Sequence, residues 1–530
     1  MRFYETKVFV FLLAAVLAAV FLVVNFLNLN DYGETWDESV HWRNGEINWQ
    51  VITGQAPIDQ IETNHNLKYY GPLADLLGQG SKMIFTDKLN WLNEVAAHHV
   101  PLVIFGAILL GAVYGLGYLA GGTLTAFLSS IFLLLFPRFI GESQGNPKDL
   151  PVAALAALAM MLFVWAWSRK KWWQFILAGA VLGAALAVRT NALWVPLIIL
   201  VWILISDRDL IKNWFKTRSK AFSLKEKFKR WGWAVIAYPF IAFGTMLAFW
   251  PWLWPAPLNR FWEAVVSVGS YDWTGLVKYA GKILPAPDLP WHYAPVMLFW
   301  VTPALILALA VIGSVIAVRQ SIQKTNRVMI LFPVWLTVVL GSIILLRISV
   351  YDGIRHFFLV VPALAVLAGG GGAFVYHWLA KKYSPGAGRR LALIVWSVIL
   401  FIGGGSIFYK MILIHPYQLY YFNELIGGMG GAYPDYEVGY WGIEMKGGAE
   451  WLNQNVSGDA RIAVQPTDKM AIPFLRSDLK AVKEKDNPDY SLALTKANYD
   501  PFKSLEPIYV LNIDGAPLLK IKKITPEVHE

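Results

Sequence analysis

The chain has no cysteine among its 530 residues. That absence excludes disulfides, cysteine-ligated zinc, iron–sulfur clusters and thiol nucleophiles, and it leaves the redox compartment open. Charge is scarce as well. Only 15% of residues are Asp, Glu, Lys or Arg against 56% hydrophobic, and the mean hydropathy is +0.45. A soluble core of this length does not need so much apolar surface, so the composition points to a polytopic membrane protein. No repeat of fixed period is visible.

A formal net charge of +10 would suit nucleic acid, but the Lys and Arg gather in short runs between apolar segments. That is the positive-inside pattern, so membrane lipids and no nucleic acid are the expected partners. Apolar runs near 8–28, 97–118, 122–137, 150–167, 173–189, 192–206, 233–251, 293–317, 328–346, 357–378 and 391–409 predict about eleven transmembrane helices, judged against the roughly 20 residues that cross a bilayer core. The first run lacks a small-residue cleavage pattern and reads as a retained helix, not a signal peptide.

With the N-terminus cytoplasmic, the basic segments 168–173, 206–232, 318–327 and 381–390 all fall on the cytoplasmic side, and 206–232 is expected to rest on anionic lipid. The segments 29–96, 138–149, 252–292, 347–356 and everything after about Tyr409 then lie outside. Beyond Tyr409 a helix over 442–455 and strands over 461–466 and 507–513 predict a small extracytoplasmic α/β domain. The expected division is a transmembrane domain over 1–409 and an outer domain over 410–530. Asn455-Val456-Ser457 fits the N-glycosylation pattern. The Trp- and Pro-rich stretch 250–273 reads either as an interfacial belt or as aromatic walls along the path of a lipid chain or sugar.

Three outer clusters carry groups suited to chemistry. TWDESVHW (35–42) places Asp37 and Glu38 just past the first crossing. They are either a solvated pair, or a base for an incoming hydroxyl with a neighbour that orients it or a metal. LFPRFIGESQGNPKDLP (135–151) gathers Arg138, Glu142, Gln144, Asn146, Lys148 and Asp149. Its Asn-Pro pair predicts a turn, Asp149 could cap the next helix, and the two cations could bind phosphate. RISVYDGIRHFF (347–358) sets Arg347, Tyr351, Arg355 and His356 near Asp352. Arginines are disfavoured on this side, so they pair either with Asp352 or with a lipid phosphate. All three loops share one face, where cations could steady a departing phosphate while a carboxylate activates the acceptor.

The acidic pair, the NPKD run at 146–149, the YDGIRH run at 351–356 and HPYQLYYFNELIGG (415–428) followed by YEVGYWG (436–442) resemble the polytopic GT-C glycosyltransferases. More narrowly the chain is similar, over most of its length, to the dolichyl-phosphate-mannose protein mannosyltransferase family and its bacterial aminoarabinose-transferase relatives. The resemblance implies an all-α GT-C membrane domain and inverting transfer of a sugar from a polyprenyl-phosphate donor to a protein, lipid or glycan acceptor. It implies Asp37 as base with Glu38 beside it, Asp149 or Glu142 as the second acid, and Arg355, Lys148 and Arg138 as phosphate contacts. Asn146, His356, Tyr351 and His65 are carried as further substrate contacts, and no cofactor is implied beyond a divalent cation left open. Eukaryotic members have a His-Pro-Pro-Leu-like run where this chain reads NHNLKYYGPLADLL (64–77), and their lumenal insertion has no counterpart here, which leaves donor sugar and acceptor unassigned. A transporter or flippase would instead carry mid-membrane charges and repeated halves; a non-catalytic subunit could lose the acidic pair.

Overall fold

The computed structural model describes residues 7–63, 65–206, 232–269, 273–496 and 499–524, the Lys7 and His65 side chains excepted. The chain is an integral membrane protein of apolar helices. Its main helices, polar ones included, are in chain order α1 (Lys7–Leu27), α2 (Glu38–Ile52), α3 (Leu73–Lys82), α4 (Glu94–Leu134), α5 (Pro137–Gly145), α6 (Asp149–Arg169), α7 (Trp172–Leu186) and α8 (Trp194–Ser206). They continue as α9 (Trp233–Phe249), α10 (Pro257–Gly269), α11 (Tyr293–Val301), α12 (Ala304–Ile322), α13 (Leu331–Leu346), α14 (Val361–Lys382), α15 (Ala387–Leu413) and α16 (Met445–Asn455). Among the described residues, six helices are long and apolar enough to cross a membrane, and four further apolar helices are shorter. With α4 doubled back on itself they account for the eleven expected spans.

The doubling occurs at Gly121 and Gly122, whose backbones leave the helix, Gly122 at φ +78°. Only glycine reaches that conformation without strain. The centre of the bundle is built from small residues. Ala153, Ala154, Ala156, Ala157 and Ala159 of α6 are fully buried, and a Cβ on Gly371 of α14 would collide with the Leu309 carbonyl of α12. Apolar side chains gain little from one another in lipid, so close backbone approach is what holds such helices. By contrast α1 and α15 are apolar on nearly every side and lie at the rim.

Three expectations change. The segment 138–149, expected as an outer loop, begins as the buried helix α5, started by Pro137, a residue suited to a first helical turn because the missing N–H would be unpaired there. The expected span 293–317 is broken at Thr302-Pro303 into α11 and α12, because proline disfavours helical backbone in the residue before it. In the stretch 250–273, Trp250 and Trp252 are buried and donate to the Lys68 carbonyl and to Glu62 of the first loop. The same stretch exposes Leu258, Trp262 and Val266 of α10, spaced four apart on one side of that helix. The basic loop expected to rest on lipid lies, over 207–231, outside the described residues.

Residues 414–443 pack into the helical core, and a separate apolar core begins at Met445. It joins α16 to a five-stranded mixed sheet. The strands are β3 (Ala460–Gln465), β4 (Leu479–Val482), β5 (Tyr490–Leu494), β6 (Tyr509–Ile513) and β7 (Ala516–Lys523), in the order β4-β3-β5-β7-β6. β3 runs parallel to β4 and β5; β7 is antiparallel to β5 and β6. Earlier in the chain a hairpin of β1 (Leu276–Tyr279) and β2 (Lys282–Pro285) ties α10 to the bundle, its Gly281 N–H donating to the Asp435 carbonyl.

Candidate active site

The loops expected to share a face do meet, and Asp37 is where they meet. It sits at the start of α2, and its Oδ2 accepts from Lys148 Nζ at 2.7 Å and from Arg355 Nη1 at 2.9 Å. Burial by itself raises the Asp37 carboxyl. The Lys148 ammonium and the Arg355 guanidinium outweigh it and hold the group well below the usual carboxylate range. Asp37 is therefore an anion at any physiological pH. Arg355 also reaches Asp352 Oδ2 at 2.8 Å through Nη2, and it lies against the Tyr351 and Trp441 rings.

Two cavities share a wall here. The first, of about 240 Å³, is lined by Asp37, His41, Lys148, Asp352, Arg355 and Lys496 among the aromatic rings of Trp36, Tyr70, Trp273, Tyr351, Tyr440, Trp441 and Tyr499. The second, of about 190 Å³, has a cationic end at Lys148 and Arg189 beside His356, and a mostly apolar remainder that includes Leu193, Trp194, Val265, Val268 and Ile348 along with Thr190, Asn191 and Ser349. Tyr70, Lys148 and Tyr351 border both. An aromatic and charged chamber fits a sugar; a slot with cations at one end and mostly apolar walls along the rest fits a lipid phosphate.

Not every expected residue reaches these cavities. Glu38 is fully buried and turned away, its two oxygens taken by His99 Nε2 at 2.8 Å and the Thr35 N–H at 2.6 Å. Consecutive residues at a helix start point about 100° apart, so only one of the pair can face the cavity. Asp149 is likewise spent on an ion pair with Arg189, while its own N–H and that of Lys148 donate to Asn146 Oδ1. Asn146 thus forms the turn that aims Lys148 into the site. Arg138 is buried and donates to the Tyr421 carbonyl and the Tyr440 hydroxyl. It buttresses the turn at Gly353, where a Cβ would meet its Nη1 at 2.5 Å. The His65 side chain is outside the described residues.

Glu142 accepts from Asn146 and lines neither cavity. Burial raises its carboxyl from 4.5 to about 8, against that hydrogen bond. The folded protein therefore holds a proton there that the unfolded chain releases near 4.5. The resulting stabilisation is complete below that value and is lost as pH rises through about 8. Melting temperature in detergent, followed from about pH 5 to about pH 8.5, is expected to decline, and Glu142→Gln to flatten the decline; an unchanged slope in that variant would assign the dependence elsewhere.

Several residues of the site have no signal in a single sequence. Arg189 and Lys496 come from segments read only as the end of a span and the outer domain. His41, held by Asp75 at 3.0 Å, could have been noticed as the residue one helical turn beyond Asp37. Among the described residues no group of three or more His, Asp or Glu side chains is placed to hold a metal ion.

Solved structures decide the architecture. ArnT from Cupriavidus metallidurans, bound to undecaprenyl phosphate, superposes with a TM-score of 0.51 at 13% identity, over 96% of this chain and 97% of that one. The chain has the GT-C fold. The same GT-C frame is found in the Archaeoglobus fulgidus oligosaccharyltransferase, at a TM-score of 0.50 and 12% identity over 93% of this chain and 70% of that one. The family model for dolichyl-phosphate-mannose-protein mannosyltransferases matches residues 89–225. That stretch holds Arg138, Asn146, Lys148, Asp149 and Arg189 and stops short of Asp37 and Arg355. No curated protein matches the sequence.

Proposed function

We propose that this GT-C protein is a membrane glycosyltransferase that moves a sugar, with inversion, from a polyprenyl-phosphate donor to an acceptor hydroxyl. The reading is carried by one observation: the Asp37 carboxylate stands between two cations in an aromatic chamber, and one of them, Lys148, lies on the wall that this chamber shares with a cation-ended slot. The undecaprenyl phosphate bound to the ArnT of like fold supports it. The polyprenyl chain occupies the slot, its phosphate lies against Lys148, Arg189 and Arg355, and the sugar projects into the chamber. Asp37 takes the proton from the acceptor hydroxyl, whose oxygen attacks the anomeric carbon as the bond from that carbon to the phosphate oxygen breaks. The proton ends on Asp37, and the polyprenyl phosphate leaves with its added negative charge facing the cations.

The site belongs on the extracytoplasmic side in this reading. The basic groups Arg169, Lys170, Arg319, Lys381 and Lys382 all lie at helix ends remote from Asp37 in the chain's path across the membrane, which is the positive-inside pattern. The test supplies purified protein with a panel of radiolabelled polyprenyl-phosphate sugars, including mannose and aminoarabinose, together with protein, lipid and glycan acceptors. Release of lipid phosphate that requires one donor and Asp37 names the reaction. Absence of release from every donor, with folded protein, returns the chain to a transport or scaffold role.

A further inference from the structure

The charges at the site continue past Arg355 into the sheet domain. Lys148, Asp37, Arg355, Asp352, Lys496 and Glu437 form a file of alternating sign, with successive contacts of 2.7, 2.9, 2.8, 3.1 and 3.6 Å. Lys496 enters it from the far end of the chain, just beyond β5. Its position is fixed by Thr495, whose N–H donates to the Leu518 carbonyl at 3.0 Å and whose hydroxyl donates to the Pro517 carbonyl at 2.6 Å. The Lys496 side chain is 4% exposed, and its ammonium lies over the Trp273 ring.

Asp352, the member between Lys496 and Arg355, needs holding. Its φ is +54°, followed by Gly353 at +71°, a left-handed pair that only glycine adopts without cost. Two cations grip opposite oxygens of its carboxylate, Lys496 on Oδ1 and Arg355 on Oδ2. Removing the Lys496 charge leaves a buried carboxylate whose only remaining cation in this file is Arg355. The guanidinium is then drawn toward Asp352 and away from the cavity wall.

We infer that Lys496 is a positioning residue, contributed by the sheet domain, that acts through Asp352 to hold Arg355 where it meets the donor phosphate. The inference rests on the proposed function, since it assigns Arg355 to that phosphate. It gives the sheet domain, whose Lys496 and Tyr499 line the sugar chamber, a hold on the phosphate end of the donor site as well.

The test uses full-length protein in detergent and measures binding of undecaprenyl phosphate together with KM and kcat for the donor. Lys496→Met is expected to weaken binding and raise donor KM by about tenfold, with kcat changed less than KM, and Lys496→Arg to restore both. In an Asp352→Asn background Lys496→Met is expected to add no further loss. Should Lys496→Met not fold, Lys496→Gln, which keeps a hydrogen-bond donor toward Asp352, repeats the measurement without the charge. Equal losses with and without Asp352, or a fall in kcat at unchanged binding, overturn the inference. Loss of binding in Arg355→Met but not in Lys496→Met overturns it alone, whereas equal binding by wild type and Arg355→Met overturns the functional reading with it.

Discussion

In the Asp37→Asn variant, kcat for sugar transfer is expected to fall by about a thousandfold, within the range that removing a positioned general base produces. Undecaprenyl phosphate is expected to bind at least as tightly as to the wild type. Both outcomes follow from the same geometry. The carboxylate is the proton acceptor, and it also competes with an incoming phosphate for Lys148 and Arg355. The neutral amide keeps the shape and removes the competition. A transfer assay and a binding assay on one preparation separate the two effects. Glu38→Gln is the control, because Glu38 is committed to Thr35 and His99 behind the cavity wall. That variant is expected to lose stability, seen as a lower melting temperature, by the roughly 1–3 kcal/mol that a buried group left without a partner costs, while kcat stays within a few-fold. If Glu38→Gln abolished transfer and Asp37→Asn did not, the roles assigned to the adjacent carboxylates would have to be exchanged.

Arg355→Met is expected to act on the donor instead. A hydrogen bond to a charged group contributes roughly 1.5–3 kcal/mol, so donor KM should rise and undecaprenyl phosphate binding should weaken by about 10- to 100-fold. Arg355→Lys is expected to recover only part of the loss. The guanidinium serves Asp37 with Nη1 and Asp352 with Nη2 at once, and a single ammonium on a flexible stem does not reproduce that fork. The variant should also leave Asp37 with Lys148 as its one remaining hydrogen-bonded cation, so that its carboxyl titrates closer to the ordinary range. The acid limb of the pH–rate profile then moves to higher pH. Donor KM unchanged in Arg355→Met would remove Arg355 from the phosphate site.

The membrane-spanning part of the architecture was legible because lipid imposes a simple requirement. A segment that crosses must be apolar over its whole length, and this can be read from any window of residues without knowing its neighbours. The spans, the basic segments between them and the shared face of the loops follow from that requirement. So does the neighbourhood of Asp37, Lys148 and Arg355, since all three loops were placed on one side. The helix α5 was not legible. Its polar residues read as a loop, yet Arg138, Glu142 and Gln144 are all buried, and Arg138 and Gln144 find hydrogen-bond partners in Tyr421, Tyr440 and Asn25, which lie far away in sequence.

What the sequence by itself determined is the class of molecule, the path of its helices and which loops could supply an active site. Only the tertiary structure decided which side chain of each adjacent pair enters the cavity. Asp37 and Lys148 do; Glu38 and Asp149 turn to His99 and Arg189. It also brought in Lys496 from the sheet domain. The reason is the same in both cases. Hydropathy is a local property of the chain, whereas an ion pair spanning 111 residues from Asp37 to Lys148, or 318 from Asp37 to Arg355, exists only after the helices have packed and fixed the directions in which their ends point.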